Sequence, residues 1–143
     1  MTGLGLEAAR TIIAGTLAHG HAEGFKPLTA VVLDSGGHVV AAEREDGSSI
    51  KRFEIGFAKA HGALSLGMGS RSIMGRAEQQ PYFIAAVTSA VGGALVPVPG
   101  GVLVRDADGV LLGAVGVTGD TSDNDESAAV AGISSAGLTA QVD

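Results

Sequence analysis

Apolar residues near the start of the chain recur at spacings of three and four, as they do on one side of an α-helix. The residues that share this side are Leu6, Ala9, Ile13 and Leu17. The pattern predicts a helix over residues 4–21 with one buried stripe. We expect Gly24 to end this helix, because glycine readily adopts the left-handed conformation found at helix ends.

Two later segments show the pattern of β-hairpins. LTAVVLDSGGHVVAAERED (28–46) and GGVLVRDADGVLLGAVGV (100–117) each place runs rich in β-branched residues on both sides of a polar turn. The turns DSGG and DADG contain glycines, which accept the positive φ that a tight turn requires. The sequence therefore predicts two hairpins, with a short extra strand around residues 95–98.

The middle of the chain is predicted to be helical. A helix over residues 49–66 collects its apolar side chains on one side: Ile50, Phe53, Phe57, Ala60 and Leu64. After a break at GMGSRS, either Ser70 or Ser72 is expected to cap another helical stretch. Pro81 starts a new segment because proline cannot continue a helix, and a short apolar helix follows over residues 84–91.

The last segment, TSDNDESAAVAGISSAG, concentrates its acidic residues where a helix would begin. The positive end of the helix dipole stabilises negative charge at that position. The predicted order is therefore α-β-β-α-α-β-β-α, and strands joined by hairpins form an antiparallel sheet. We predict an α+β fold with helices packed mainly on one face of this sheet, in a single domain over residues 1–143.

Charge and composition argue against several classes of partner. A net charge of -6 repels a polyanion, and one Tyr without any Trp leaves little for base stacking, so we expect no nucleic acid. The absence of Cys excludes thiolate ligands and thiol nucleophiles. No segment reaches the ~20 apolar residues of a membrane span, and the N-terminus lacks a basic start. We expect a cytoplasmic protein that binds no membrane.

Three blocks of the sequence resemble successive parts of the GlcG/HbpS-like family of small haem-binding and related proteins. The blocks are AVVLDSGGHVVAAEREDG, GFAKAHGALSLG and PVPGGVLVRDADGVLLGAVGVTGDTSDNDESAAVAG. The resemblance implies a profilin-like α+β domain that assembles through its helices into dimers or larger rings. It also implies haem or a small metabolite as the ligand. The chain departs from the family pattern at Gly62, where Thr or Ser is usual, and it matches weakly over residues 69–90.

The glycines of the second hairpin form the first candidate site. Those at every third position of GAVGVTGD match neither the dinucleotide fingerprint nor the phosphate loop, and the acids that follow disfavour phosphate. We expect exposed strand backbone beside a cavity, with the ligand-binding residues Gly100, Gly101, Gly116, Thr118 and Gly119. The alternative is that these glycines only allow a helix to pack closely on the sheet.

Two histidines near the end of the first helix form the second candidate site. His21 continues the buried stripe, while His19 lies on an adjoining face, and an imidazole is a common axial ligand of haem iron. The alternative is that both only interact with the negative end of the helix dipole. Two histidines separated by one residue point apart on a helix, so they do not share a metal ion, and no metal site is predicted.

Three further residues are candidates for catalysis. His61 continues the line of Phe53 and Phe57, and its ordinary pKa suits a general acid or base. Lys59 and Arg44 match polar positions of the family and could hold a carboxylate, with Lys59 on a different helical face from His61. The structural alternatives are a buried histidine with a satisfied hydrogen bond, an arginine that ties the strand end, and a lysine paired with an acid.

Two functions follow from these sites. The chain is predicted to bind haem or a small carboxylate-bearing metabolite in a pocket near the glycine-rich sheet edge, at a subunit interface of a homo-oligomer. The alternative is a cofactor-independent isomerase, lyase or hydratase that uses His61 for proton transfer on a small oxygenated metabolite. A third interpretation is an accessory protein without a ligand, in which the glycine-rich sheet only packs.

Overall fold

The computed structural model describes residues 3–143. Its elements, in chain order, are α1 (Leu6–Glu23), β1 (Thr29–Asp34), β2 (Val39–Arg44), α2 (Arg52–Leu66), α3 (Ser70–Gln79), α4 (Pro81–Ala90), β3 (Gly101–Arg105), β4 (Leu111–Thr118), α5 (Ser122–Ser135) and β5 (Thr139–Gln141). The predicted α+β class is confirmed. Gly24 ends α1 with a φ of 71°, as expected from the sequence.

The five strands form one antiparallel sheet in the order β2-β1-β4-β3-β5. Both predicted hairpins are present, and β1 and β4 pair with each other in the middle of the sheet. In this register Thr29 lies opposite Arg44 on one side and opposite Thr118 on the other. The short edge strand β5, which pairs with β3, was not predicted from the sequence.

Helices cover both faces of the sheet, whereas the sequence predicted helices mainly on one face. Ala30 and Val32 of β1 belong to the core beneath α1 and α5, while Val31 and Leu33 alternate with them and pack beneath α2. Strand β1 is therefore buried on both faces, as its continuous apolar run suggests. The face under α2 is the one that contains the residues discussed below.

Helices α3 and α4 form a separate small cluster beside the main core, built on Ile73, Ile84 and Leu95. Pro81 begins α4, as predicted. The expected strand at 95–98 is wrong, because the chain there is irregular and Leu95 is buried against Gly62. A side chain at Gly62 would come within 3.0 Å of Leu95 Cγ, which is a physical reason for glycine where the family usually has Thr or Ser.

The starts of α3 and α5 differ in how they are capped. At α5, Thr121 accepts a hydrogen bond from the backbone N–H of Asn124. At α3 the residue before the helix is Gly69, so the expected serine cap is wrong. The hydroxyl of Ser70 instead accepts a hydrogen bond from the backbone N–H of Gly101, 2.7 Å away.

Within residues 3–143 no helix combines the length and apolar character needed to cross a bilayer.

Candidate functional site

Lys59 forms an ion pair inside the protein. Its Nζ lies 3.1 Å from Asp125 Oδ2 and donates to the carbonyl of Val117 at 3.0 Å. The other carboxylate oxygen, Oδ1, accepts from the backbone N–H of Asp120 at 2.9 Å. Lys59 therefore joins α2 to β4 and α5. It is paired with an acid, which is the structural role that the sequence analysis gave as the alternative to ligand binding.

Burial moves both pKa values of this pair toward the neutral forms. Desolvation lowers the pKa of Lys59, and the nearby charge of Asp125 opposes this effect. Desolvation likewise raises the pKa of Asp125, against the charge of Lys59. Lys59 and Asp125 bind each other. The structure therefore does not bring Lys59 and Arg44 together around the carboxylate of a ligand.

The glycines of the second hairpin pack against α2. Gly100 has a φ of 123°, and a Cβ there would lie 2.6 Å from the carbonyl oxygen of Val117 and 2.8 Å from Lys59 Nζ. Side chains at Gly101 and Gly116 would collide with the backbone of α2. The expected opening above this backbone is therefore wrong, because α2 fills the space. The alternative, close packing of a helix on the sheet, is confirmed for these three glycines.

Thr118 and Gly119 lie at the end of β4. The Thr118 hydroxyl accepts a hydrogen bond from Arg52 Nη1 at 2.8 Å, and Thr118 is 1% exposed. Gly119 has a φ of 143°, and a side chain there would collide with the carbonyl of Pro27. Sequence reasoning missed Arg52, although its position at the first turn of a predicted helix was visible.

A groove at the C-terminal end of α1 brings His21 and Arg44 together. The groove is open to solvent and has a volume of about 710 Å³. It is lined by His21, Gly24, Phe25, Pro27, Arg44, Glu45 and Asp46. The His21 side chain is 72% exposed. The groove combines an accessible imidazole, a guanidinium and the apolar surfaces of Phe25 and Pro27.

Glu45 holds the His21 side chain at the groove. One carboxylate oxygen of Glu45 accepts from the backbone N–H of Leu28 at 2.7 Å, and the other contacts His21 Nε2. The Glu45 side chain is only 18% exposed, so the carboxylate is the fixed member of the pair. Sequence reasoning missed this residue, and its place beside Arg44 in the segment EREDG was the available signal.

His19 does not line the groove, although it packs against a residue that does. Its Nε2 lies 3.4 Å from the Ser127 hydroxyl of α5, and its ring packs edge-on against Phe25 at 5.7 Å between centroids. The two histidines therefore have separate surroundings, as their spacing predicts. Of the two, His21 is the one that a ligand in the groove can reach.

His61 lies at the end of an aromatic stack on α2. Its ring stacks on Phe57 at 5.3 Å, and Phe57 in turn stacks on Phe53 at 6.1 Å, so the predicted line of three rings is confirmed. His61 Nδ1 lies 2.9 Å from the carbonyl oxygen of Ala94. Because a carbonyl only accepts, Nδ1 must donate, and in the neutral ring Nε2 then carries the lone pair.

Fold and groove together define a small α+β protein with a five-stranded antiparallel sheet and an exposed histidine–arginine groove at its edge. The family model described as "Haem degrading protein HbpS-like" matches residues 4–134. The chain belongs to this HbpS-like family, and the resemblance read from the sequence is confirmed. No curated protein matches the chain significantly in sequence.

Solved structures share the whole fold. The structure described as HbpS is 26% identical over 94% of this chain and 90% of that chain, with a TM-score of 0.79. The Klebsiella pneumoniae protein ORFY is 23% identical, covers 96% and 92%, and has a TM-score of 0.85. A structure described as a PduOC:Heme complex is 18% identical, covers 95% and 96%, and has a TM-score of 0.83. The last two show a common fold.

Proposed function

We propose that the chain binds haem, or another apolar molecule that carries a carboxylate, in the groove at the end of α1. The observation that carries this proposal is that the exposed imidazole of His21 and the residue Arg44 line one groove. The family description refers to haem, and a protein of the same fold forms a heme complex. These comparisons support haem as the first ligand to test.

The residues of the groove fit such a ligand chemically. An imidazole is the commonest protein ligand of haem iron, and bound haem supplies an iron centre for ligand or redox chemistry. A guanidinium pairs well with a carboxylate such as a propionate arm. Phe25 and Pro27 offer apolar surface to a ring system. His21, Arg44 and Phe25 would thus hold the ligand.

Glu45 is the residue that a ligand of His21 must displace. It contacts His21 Nε2, the nitrogen through which a histidine most simply reaches an iron. Because the His21 side chain is largely exposed, it can rotate away from Glu45 without disturbing the core. The groove is therefore accessible to a ligand at the cost of one surface hydrogen bond.

The test is a titration of the purified chain with hemin, followed through the Soret band. We expect a saturable shift that His21→Ala abolishes or weakens strongly. His38→Ala is the matched control, because His38 is an exposed histidine that pairs with Asp34 and does not line the groove, and it should leave the shift unchanged. His19→Ala tests the other histidine of α1. The proposal fails if the wild-type chain gives no saturable shift, or if only His19→Ala removes it.

Proton transfer by His61 stays a prediction. The stack on Phe57 and the hydrogen bond to Ala94 hold the ring in one tautomer, which suits a general base. However, His61 shares no hydrogen bond with Lys59 or Arg44 within residues 3–143, and Lys59 is paired with Asp125. Ligand binding in the groove is therefore the function with more support.

We also propose that the chain forms a homo-oligomer. Exposed apolar side chains lie along the α2 side of the sheet edge: Val39, 47% exposed, Ile50, 88% exposed, and Phe53, 39% exposed. Exposed apolar side chains of this size are often covered by another subunit. The cytoplasmic location also stays a prediction.

A further inference from the structure

Two arginines meet at one corner of the sheet, on the face under α2. Arg44, Thr29 and Thr118 are direct neighbours across β2, β1 and β4, so their side chains form one row. Thr29 shares its face with Val31 and Leu33, which pack against α2. Arg52, the first residue of α2, reaches into the same row and donates to the Thr118 hydroxyl at 2.8 Å.

Neither arginine has a carboxylate partner within residues 3–143. Arg44 donates from Nη1 to the carbonyl of Ser48 at 3.0 Å, and Arg52 donates from Nε to the Ser49 hydroxyl at 3.1 Å. The remaining guanidinium N–H groups have no acceptor in the described part of the chain. The row therefore contains two cationic side chains without a carboxylate between them in the described part of the chain.

Two buried hydroxyls at this corner also have no partner. Thr29 Oγ1 and Ser48 Oγ are both buried and form no hydrogen bond within the described residues, and Thr29 is 1% exposed. Buried polar atoms almost always have a partner, so such atoms commonly mark a missing ligand or water. Thr29 lies between Arg44 and Thr118, and Ser48 belongs to the loop that Arg44 binds.

We propose that this corner is a carboxylate-binding site, formed by Arg44, Arg52 and the hydroxyl of Thr29. Guanidinium groups bind carboxylates through paired N–H donors, and a free hydroxyl supplies one more. A carboxylate presents two oxygens in one plane, which match the fork of N–H donors on a guanidinium. We call Arg44, Arg52 and Thr29 the arginine corner.

The carboxylate has two sources that an experiment can separate. It is either a free small acid or the carboxylate arm of a ligand in the groove, which Arg44 also lines. The arginine corner goes beyond the proposed function because it requires no imidazole. Arg52 belongs to the corner and does not line the groove, so it distinguishes the two sites.

The experiment is a titration of the full chain with acetate, followed by NMR of the arginine Nε–H groups, with chloride as the ionic-strength control. We expect a saturable shift of the Arg52 signal. Arg44→Gln should weaken acetate binding about tenfold or more, because a charged hydrogen-bond pair is lost. Arg52→Gln should do the same, measured on the remaining Arg44 signal.

Arg105→Gln is the matched control, since Arg105 also has no carboxylate partner but binds Gln141 and the carbonyl of Gly109. It should leave acetate binding unchanged. If Arg52→Gln does not fold, Arg52→Lys keeps the charge and loses the planar fork, and weaker binding is still expected. No saturable shift with acetate, or equal loss with Arg105→Gln, would overturn the arginine corner.

Hemin titration of the same variants separates this inference from the proposed function. A weaker hemin shift in Arg52→Gln with normal acetate binding in His21→Ala would place the carboxylate arm of the groove ligand in the corner. Unchanged hemin binding in Arg52→Gln together with lost acetate binding would identify a free small acid. Acetate binding without any hemin binding would overturn the proposed function and leave the arginine corner standing.

Discussion

Lys59 and Asp125 form an ion pair at 3.1 Å, with side chains only 3% and 2% exposed, although 66 positions separate them in sequence. The pair joins α2 to the start of α5 across the end of β4. Taking two charges out of water is costly, and the cost is met only while both partners are present. The pair therefore makes the packing of α2 on the sheet sensitive to either residue.

Lys59→Met should lower the free energy of unfolding by about 3–5 kcal/mol, because it leaves Asp125 charged and unpaired in the interior. The double variant Lys59→Met with Asp125→Leu removes both charges and should recover most of this loss. Urea unfolding measures all three proteins. If the double variant is no more stable than the single one, the lost stability does not come from the ion pair alone. The hydrogen bonds to Val117 and Asp120 would then contribute equally to it.

Asp120 should determine part of the acid sensitivity of the protein. Hydrogen bonds from the backbone N–H of Lys26, then from Asn124 and from the backbone of Thr121, lower the pKa of Asp120 to about 2. A carboxyl whose folded pKa is lowered stabilises the fold above its unfolded pKa, near 3.8. That stability is lost as the pH falls from about 3.8 to about 2.

Asp120→Asn should therefore flatten the decline of Tm over this acid range, while the stability of the wild type falls. Thermal unfolding at a series of pH values measures the effect. Asp108→Asn, at an exposed acid of the turn between β3 and β4, is the control and should leave the slope unchanged. Equal slopes for Asp120→Asn and the wild type would show that these three hydrogen bonds together do not lower the pKa of Asp120 in solution.

Gly100→Ala should destabilise the protein more than Gly92→Ala. Both glycines have a positive φ, 123° and 82°, but a Cβ at Gly92 meets nothing within 4 Å. Backbone strain costs roughly 1–3 kcal/mol at such a position. At Gly100 the collision with Val117 and Lys59 adds to this cost. Urea unfolding compares the two variants, and similar losses would mean that α2 packs less closely than the structure shows.

Phe53→Glu should reduce the molar mass measured by light scattering if α2 forms the subunit interface. A charge placed in a covered apolar surface is costly, so the assembly should dissociate. Tyr82→Glu is the control, because Tyr82 is an exposed ring, 72% exposed, on α4. A wild-type chain that is monomeric would show the expected assembly to be wrong, and dissociation only with Tyr82→Glu would move the interface to α4.

Local patterns in the sequence were enough for most of the fold. The periodicity of α1, the glycine turns of both hairpins and the acids at the start of α5 depend on residues within one or two turns of each other. Strand β5 was not predicted, because its three residues, TAQ, have no pattern of their own and form a strand only by pairing with β3.

The candidate site was predicted in part. Sequence reasoning selected His21 and Arg44, which the groove brings together, and it placed the three rings of α2 in one line. It missed Glu45 and Arg52, whose roles depend on partners in other elements. It also expected an open space above Gly100, where the structure has Lys59.

The sequence by itself determined the α+β class, the hairpins and the family, because each rests on local spacing or on motifs read in order. Only the tertiary structure decided which face α2 covers, that Lys59 pairs with Asp125, and that Gly101 and Gly116 pack against the backbone of α2. The reason is physical: glycine permits close approach of any kind, and only the packed chain specifies what approaches.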